Sequence, residues 1–123
     1  MSTEMIDEAT FAGLLDSLGG DVEFLGELVE AYLAESPGLF ASMRQGIASG
    51  DGPTLQRAAH SLKSGSAGFG ALTFAAQCKE LEEMGKTGAL DGAGLKYEAL
   101  EAAYGGVVAA LEGRMQSARS ASA

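Results

Sequence analysis

The sequence has little of what a disulfide, a metal centre or a nucleic-acid interface requires. Among 123 residues there are one cysteine, one histidine, two prolines and no tryptophan. A single cysteine excludes an intrachain disulfide and fits a reducing cytoplasm. A metal site or thiol–imidazole pair built on Cys78 and His60 would lack further ligands. Eight cationic side chains against seventeen acidic ones give a net charge of −9, which argues against nucleic acid or an anionic membrane as a partner.

Long apolar runs and nucleotide-binding motifs are also missing. No apolar stretch approaches the length of a membrane-spanning helix, and the first residues lack the basic region and apolar run of a signal peptide. We therefore expect a cytoplasmic protein. There is no G-x-x-x-x-G-K-[ST] loop, no glycine-rich ATP lid and no carboxylate cluster spaced for Mg²⁺. We expect no bound cofactor or metal, and no ability to hydrolyse ATP or to phosphorylate itself.

Helical periodicity dominates the residues that are present. Apolar side chains recur at steps of three and four along most of the chain, which predicts amphipathic helices. The pattern predicts a single domain over 1–123, with 1–6 and about 115–123 flexible, and an all-α fold: an antiparallel four-helix bundle with an additional short N-terminal helix. The expected boundaries are caps at Asp7, Asp21, Asp51 and Asp91, a kink or break at Pro37, a helix at about 71–85, a loop at 85–88 and a frayed tail from Arg114.

The only histidine lies on a helix face that points away from the core. At 100° per residue, one narrow stripe of the helix around it is apolar. His60 falls about 140° from that stripe, and Lys63 shares its face one turn later. The core stripe consists of Leu55, Ala59, Leu62, Ser66 and Phe69.

Two interpretations of this histidine remain open from the residues alone. A lone exposed histidine is often only a polar position on an amphipathic helix. Imidazole is also a side chain that is substantially neutral and nucleophilic near pH 7, so it could accept a phosphoryl group. Lys63 could then pair with the phosphoryl oxygens. The small residues at 64–68 would let another protein approach the backbone closely, although glycine costs about 1 kcal/mol in a helix relative to alanine.

The run Ala-His-Ser-Leu-Lys-Ser-Gly-Ser-Ala-Gly-Phe-Gly-Ala at 59–71 resembles the histidine-containing phosphotransfer (HPt) domain, whose pattern is approximately A-H-x-L-K-G-x-x-x-x-h-G-A. The resemblance extends over nearly the whole chain. One departure is Ser64, which stands where the family commonly has glycine. Upstream of this run, residues 20–25, Tyr32, Pro37 and residues 50–51 resemble the first long helix of the family. Downstream, the matching residues are Phe74, Cys78, Leu81 and Glu82.

The resemblance implies a phosphocarrier rather than an enzyme with its own kinase site. His60 would accept a phosphoryl group from an aspartyl phosphate on one receiver domain and pass it to another, with Lys63 compensating charge. The partners would be response-regulator receiver domains and a hybrid histidine kinase, and any Mg²⁺ would come with the receiver. We expect a monomer that binds neither nucleic acid nor membrane. The expected docking residues are Gln56, Ser64, Ala67 and Gly68.

This hypothesis has three alternatives. The phosphoacceptor domain of chemotaxis kinases carries a similar His-Ser-x-Lys-Gly run, so the chain could be a fragment of such a kinase; its methionine start and thinning tail favour a free-standing protein. The phosphoacceptor hairpin of ordinary histidine kinases usually has an acidic residue after the histidine, where this chain has Ser61. A helical adaptor without chemistry is the third possibility.

Overall fold

The computed structural model describes residues 5–122, and the regular elements in that range are all α-helices. This confirms the predicted all-α class. The helices are α1 (Glu8–Ser17), α2 (Val22–Ser49), α3 (Gly52–Gly68), α4 (Leu72–Thr87) and α5 (Ala93–Ser122).

The first three helices begin at aspartate caps, as predicted. In each case the side-chain carboxylate accepts a hydrogen bond from the backbone N–H three residues later, which satisfies a donor that the helix itself leaves unpaired. Such a cap contributes about 1 kcal/mol. Pro53 lies in the first turn of α3, where its missing N–H costs nothing. The three pairs are Asp7 with Thr10, Asp21 with Phe24, and Asp51 with Thr54.

Pro37 neither breaks nor ends its helix, because α2 runs without interruption from Val22 to Ser49. A proline inside a helix leaves the carbonyl four residues earlier, here that of Leu33, without its usual N–H partner. The neighbouring turn is tied by the buried Ser36, whose hydroxyl donates to the Tyr32 carbonyl at 2.7 Å. The choice between one helix and two, which the sequence left open, is therefore settled as one.

The predicted loop at 85–88 is wrong, since α4 continues to Thr87 and ends at Gly88 in the left-handed conformation (φ 76°). Gly85 lies inside the helix, where it is buried against the first turn of α3. A Cβ atom at Gly85 would stand 2.6 Å from the Gly52 carbonyl oxygen. This glycine allows two helices to cross closely and does not mark a turn.

The two ends also differ from the expectation of flexible segments at 1–6 and about 115–123. Ile6 is 2% exposed and Met115 is 3% exposed, so both pack into the core. Helix α5 continues to Ser122, and the frayed tail expected from Arg114 is helical. It begins at Ala93, two residues after Asp91, which was the predicted cap. Residues 1–4 and 123 lie outside the described part of the chain.

The four longer helices contact one another in a closed order. Helix α3 packs against α2 and α4, and α5 packs against the same two helices, while α1 contacts α3. The predicted core stripe of α3 is buried, with Leu55, Ala59 and Leu62 fully enclosed. Within residues 5–122, no helix combines the length and the apolar character needed to cross a bilayer. This packing fixes α3 on both sides and leaves one face of it open.

Candidate functional site

His60 lies on the open face of α3, between Ala59 and Ser61. Its side chain is 58% exposed, which confirms the orientation predicted from the helical period. The ring is nevertheless held in place, because Nδ1 lies 2.8 Å from Oε2 of Glu82 on α4. The preceding residue, Ala59, is fully buried and anchors the turn that carries the histidine.

Lys63 binds the other oxygen of the same carboxylate. Its Nζ lies 2.6 Å from Oε1 of Glu82, and the lysine side chain is 27% exposed. The contact is a close ion pair to an oxygen atom that is enclosed by protein. Lys63 is therefore near His60, as predicted, but its charge is already paired in the resting protein.

Glu82 is the shared partner of both residues. Its side chain is only 13% exposed. Burial by itself raises the pKa of a carboxyl group, but the hydrogen bonds and charges of Lys63 and His60 outweigh that effect and lower the pKa of Glu82 from its usual 4.5. Glu82 is consequently an ionised carboxylate at neutral pH.

The charge of Glu82 determines which nitrogen of the imidazole is free. An ionised carboxylate can only accept hydrogen bonds, so Nδ1 of His60 must carry the proton in their contact. In a neutral imidazole the other nitrogen, Nε2, then holds the lone pair. Nε2 is on the far side of the ring from Glu82, and its lone pair is the one that the imidazole can offer to a reacting partner.

A shallow depression opens beside the imidazole. It has a volume of about 500 Å³ and is lined by His60, Glu82, Gln56, Arg57 and Ser61. Gln56, one of the predicted docking residues, is thus placed next to the histidine. Arg57 is exposed at the rim and was not singled out from the sequence.

A second groove, of about 310 Å³, runs between α3 and the helices α1 and α2. Ser64 and Gly68 open into it, with Tyr32 and Phe69 in its wall. Ala67 is half-buried on the same helix. Three of the four predicted docking residues therefore line depressions, Gln56 in the first and Ser64 and Gly68 in the second, and the role of all four in docking stays a prediction.

The small residues after His60 serve two different purposes. Ser64 and Gly68 are exposed, whereas Gly65 faces the ring of Tyr32, which a Cβ atom would approach to 3.1 Å. Ser66 is buried and its hydroxyl is 2.6 Å from the Tyr32 hydroxyl. Gly65 and Ser66 thus pack α3 onto α2, while Ser64 and Gly68 are open to solvent.

Cys78 is a core residue, as its position in the pattern predicts. It is fully buried, and burial raises the pKa of its thiol to about 12. Across residues 5–122, no group of three or more histidine, cysteine, aspartate or glutamate side chains is arranged to hold a metal ion.

Sequence reasoning missed the positions of Glu82 and Arg57 beside His60. Glu82 entered only as part of the downstream segment that resembles HPt domains. Its one local signal is that it follows Leu81, a buried residue, so that it stands at the edge of the core face of α4. That position favours a partly buried carboxylate, but its partners on α3 depend on how two helices pack, which the sequence pattern does not specify.

Comparison with known proteins agrees with this geometry. Residues 27–119 match the family model described as the Hpt domain. Among solved structures, the chain is similar to histidine-containing phosphotransfer protein B from Pseudomonas aeruginosa PAO1, with 28% sequence identity and a TM-score of 0.82. The match covers 94% of this chain and 97% of that one. No match was found among curated proteins.

Proposed function

Since the chain belongs to the Hpt domain family, and is thus a histidine phosphotransfer intermediate of phosphorelay signalling, we propose that His60 is the residue that carries the phosphoryl group. The observation that supports this most strongly is the contact of Nδ1 with Glu82 at 2.8 Å on an otherwise exposed ring. It leaves Nε2 unprotonated and open to a partner.

The transfer itself needs little covalent machinery. The lone pair of Nε2 attacks the phosphorus of an aspartyl phosphate, the N–P bond forms, and the P–O bond to the aspartate breaks with the electron pair leaving on its carboxylate. The phosphorylated ring keeps its proton on Nδ1 and gains positive charge. Glu82, at 2.8 Å, stabilises that charge, because an ionised acceptor makes a hydrogen bond roughly twice as strong as a neutral one. Return of the phosphoryl group to a second aspartate reverses these steps.

Lys63 has two tasks in this proposal. It holds the Glu82 carboxylate from the opposite side, and its charge lies one helical turn from the incoming phosphoryl oxygens. Phosphoryl transfer depends mainly on positioning and charge compensation, so a lysine fixed by an ion pair suits the reaction better than a freely moving one.

Members of the Hpt family work with receiver domains and histidine kinases. For this chain we propose receiver domains and a hybrid histidine kinase as partners, a monomeric state, a cytoplasmic location and a carrier role without kinase activity. Mg²⁺ would be bound by the receiver. The closed order of helix contacts supports an antiparallel four-helix bundle with α1 added to it.

The test is phosphorylation by a labelled receiver domain. His60→Gln should keep the helical circular dichroism of the unmodified protein and take up no label, because His60 is the only histidine in the chain. The adduct on the unmodified protein should be lost in acid and retained in alkali, as expected for an N–P bond. Label on the variant, or an adduct with the opposite stability, would contradict the proposal. A chain that binds receivers without taking label would be an adaptor.

A further inference from the structure

The charged side chains that contact each other beside His60 do not neutralise the phosphoryl group that His60 would carry. A phosphoryl group bears close to two negative charges near neutral pH. Lys63 is the cation expected from the sequence to compensate this charge, but it is paired with Glu82 at 2.6 Å. The Glu82 carboxylate also remains at the site, beside the ring that receives the phosphoryl group. Lys63 and Glu82 together contribute no net charge, so apart from the phosphorylated ring itself these residues leave the charge of the phosphoryl group uncompensated by this chain.

Arg57 is the cation that the structure leaves available. It lines the same depression as His60, its side chain is exposed, and it forms no ion pair within the described part of the chain. Its one polar contact is a long hydrogen bond of 3.4 Å to the Thr54 hydroxyl. It is also the weakest of the influences that lower the pKa of Asp51. Neither interaction holds the guanidinium strongly.

The helix places Arg57 on the correct side of the ring. It precedes His60 by three residues, and side chains with that spacing are neighbours on a helix surface. Nδ1 is turned toward α4 by Glu82, so Nε2 is on the opposite side of the ring. Arg57 borders the depression beside that ring. Arginine presents a planar fork of N–H donors that fits two phosphoryl oxygens at once.

We propose that Arg57 binds the phosphoryl oxygens during transfer to and from His60, as a second cationic residue of the site beside Lys63. This inference rests on the proposed function of His60 and deepens it. Lys63 then mainly fixes Glu82 and the ring, while Arg57 compensates the charge that arrives with the phosphoryl group, in the way that arginine stabilises phosphoryl transfer elsewhere.

The experiment uses potassium phosphoramidate, a small donor that transfers its phosphoryl group to imidazole and releases ammonia without a partner protein. Arg57→Gln should slow phosphorylation of His60 by about tenfold or more, equivalent to about 1.4 kcal/mol in the barrier. The rate of Arg57→Lys should lie between those of Arg57→Gln and the unmodified protein. A matched control is Lys96→Gln, which removes an exposed cation on α5 and should leave the rate unchanged.

A second measurement follows the phosphoryl group itself by ³¹P NMR. A nearby guanidinium favours the more charged form of a phosphoryl group, so phospho-His60 should titrate at a lower pH in the unmodified protein than in Arg57→Gln. A purely structural role of Arg57 would not produce that shift. Equal rates and equal titrations in Arg57→Gln and the unmodified protein would overturn the inference.

Two further outcomes separate this inference from the function on which it rests. If Arg57→Gln is slow only with a phosphorylated receiver and normal with phosphoramidate, the arginine contacts the partner, and the inference is overturned. If the unmodified protein takes label neither from a receiver nor from phosphoramidate, the proposed function fails before Arg57 is tested.

Discussion

At the residue scale, His60, Lys63 and Glu82 form one electrostatic unit. The carboxylate of Glu82 accepts from the imidazole through one oxygen and pairs with the lysine through the other. Each contact lowers the pKa of Glu82 against the effect of burial. Removing any one of the three therefore changes the environment of the other two, which makes single substitutions informative.

Lys63→Ala is expected to slow phosphoryl transfer by about tenfold to a hundredfold, the equivalent of one charge-assisted contact of about 1.5–3 kcal/mol. The variant should stay folded, although Glu82, only 13% exposed, loses one of its two partners. Single-turnover transfer from a phosphorylated receiver measures the rate, and a thermal melt measures the stability. Lys96→Ala, which removes an exposed lysine paired with Glu80, is the control. A normal rate in Lys63→Ala would limit this lysine to a structural or solubility role.

Glu82 should make the stability of the protein depend on pH at the acid end. Because folding lowers the pKa of Glu82, its ionised form stabilises the folded state fully above the usual value of 4.5, and this contribution is lost as the pH falls through the lowered value. Glu82→Gln should therefore be less stable than the unmodified protein at pH 7, and the difference in melting temperature should shrink toward pH 3.

The matched control for that series is Glu80→Gln, on the same helix. Glu80 is 58% exposed and pairs only with Lys96 at the surface, an arrangement that contributes little. Its melting temperature should stay close to that of the unmodified protein throughout. If the difference in melting temperature between Glu82→Gln and the unmodified protein stayed constant from pH 7 to pH 3, ionisation of Glu82 would not be responsible for it.

At the scale of elements, α3 combines a face that packs with a face that is open to partners. Gly65 and Ser66 meet Tyr32 of α2, while Ser64 and Gly68 border the groove between α3 and its neighbours. Ser64 and Gly68 lie about one and two turns beyond His60, so a receiver that reaches the histidine along this face would cover them.

Ser64→Phe tests this division of α3. We expect a melting temperature close to that of the unmodified protein, since Ser64 is exposed, together with severe loss of transfer between proteins because the ring obstructs docking. Phosphorylation by phosphoramidate should be retained. Ala102→Phe, at an exposed position of α5, controls for the added aromatic surface. A lowered melting temperature with normal transfer would assign Ser64 to internal packing, where overpacking typically costs about 1–3 kcal/mol.

The crossing of α3 and α4 is the contact that brings Glu82 to His60. Gly85→Ala should destabilise the protein by about 1–3 kcal/mol or more, since the new Cβ would lie 2.6 Å from backbone atoms of Gly52 and Gln56. Gly38→Ala, inside α2, has nothing within 4 Å of the added atom and should be neutral or stabilising by up to about 1 kcal/mol. Melting temperatures of both variants measure this. Equal melting temperatures of Gly85→Ala and Gly38→Ala would mean that α3 and α4 can move apart without loss of stability.

The elements with strong local signals were predictable, and those that depend on packing were not. The caps at Asp7, Asp21 and Asp51 and the core stripe of α3 follow from side-chain chemistry and helical period. Gly85 gave a misleading loop signal, because a glycine that permits close helix crossing looks the same in sequence as one that ends a helix. Glu82 reaches His60 across 22 positions, a relation that no local pattern contains.

At the scale of the whole molecule, the fold holds the helix that carries His60 between two others and leaves the imidazole exposed. Helices α2 and α4 hold α3 on either side, α4 supplies the carboxylate that orients the ring, and α1 contacts α3 near the end of the small-residue run. A net charge of −9 is unfavourable for contact with nucleic acid.

The role of His60 as a phosphorelay carrier is tested most directly by following a phosphoryl group into this chain and out of it. A receiver domain carrying ³²P is mixed with the chain, and a second, unlabelled receiver is added after the label has equilibrated. We predict at most one label per chain, movement of that label to the second receiver, and loss of both steps in His60→Gln. Label carried by the His60→Gln variant, or label that reaches the chain but cannot leave it for any receiver, would contradict the role of His60 as a phosphorelay carrier.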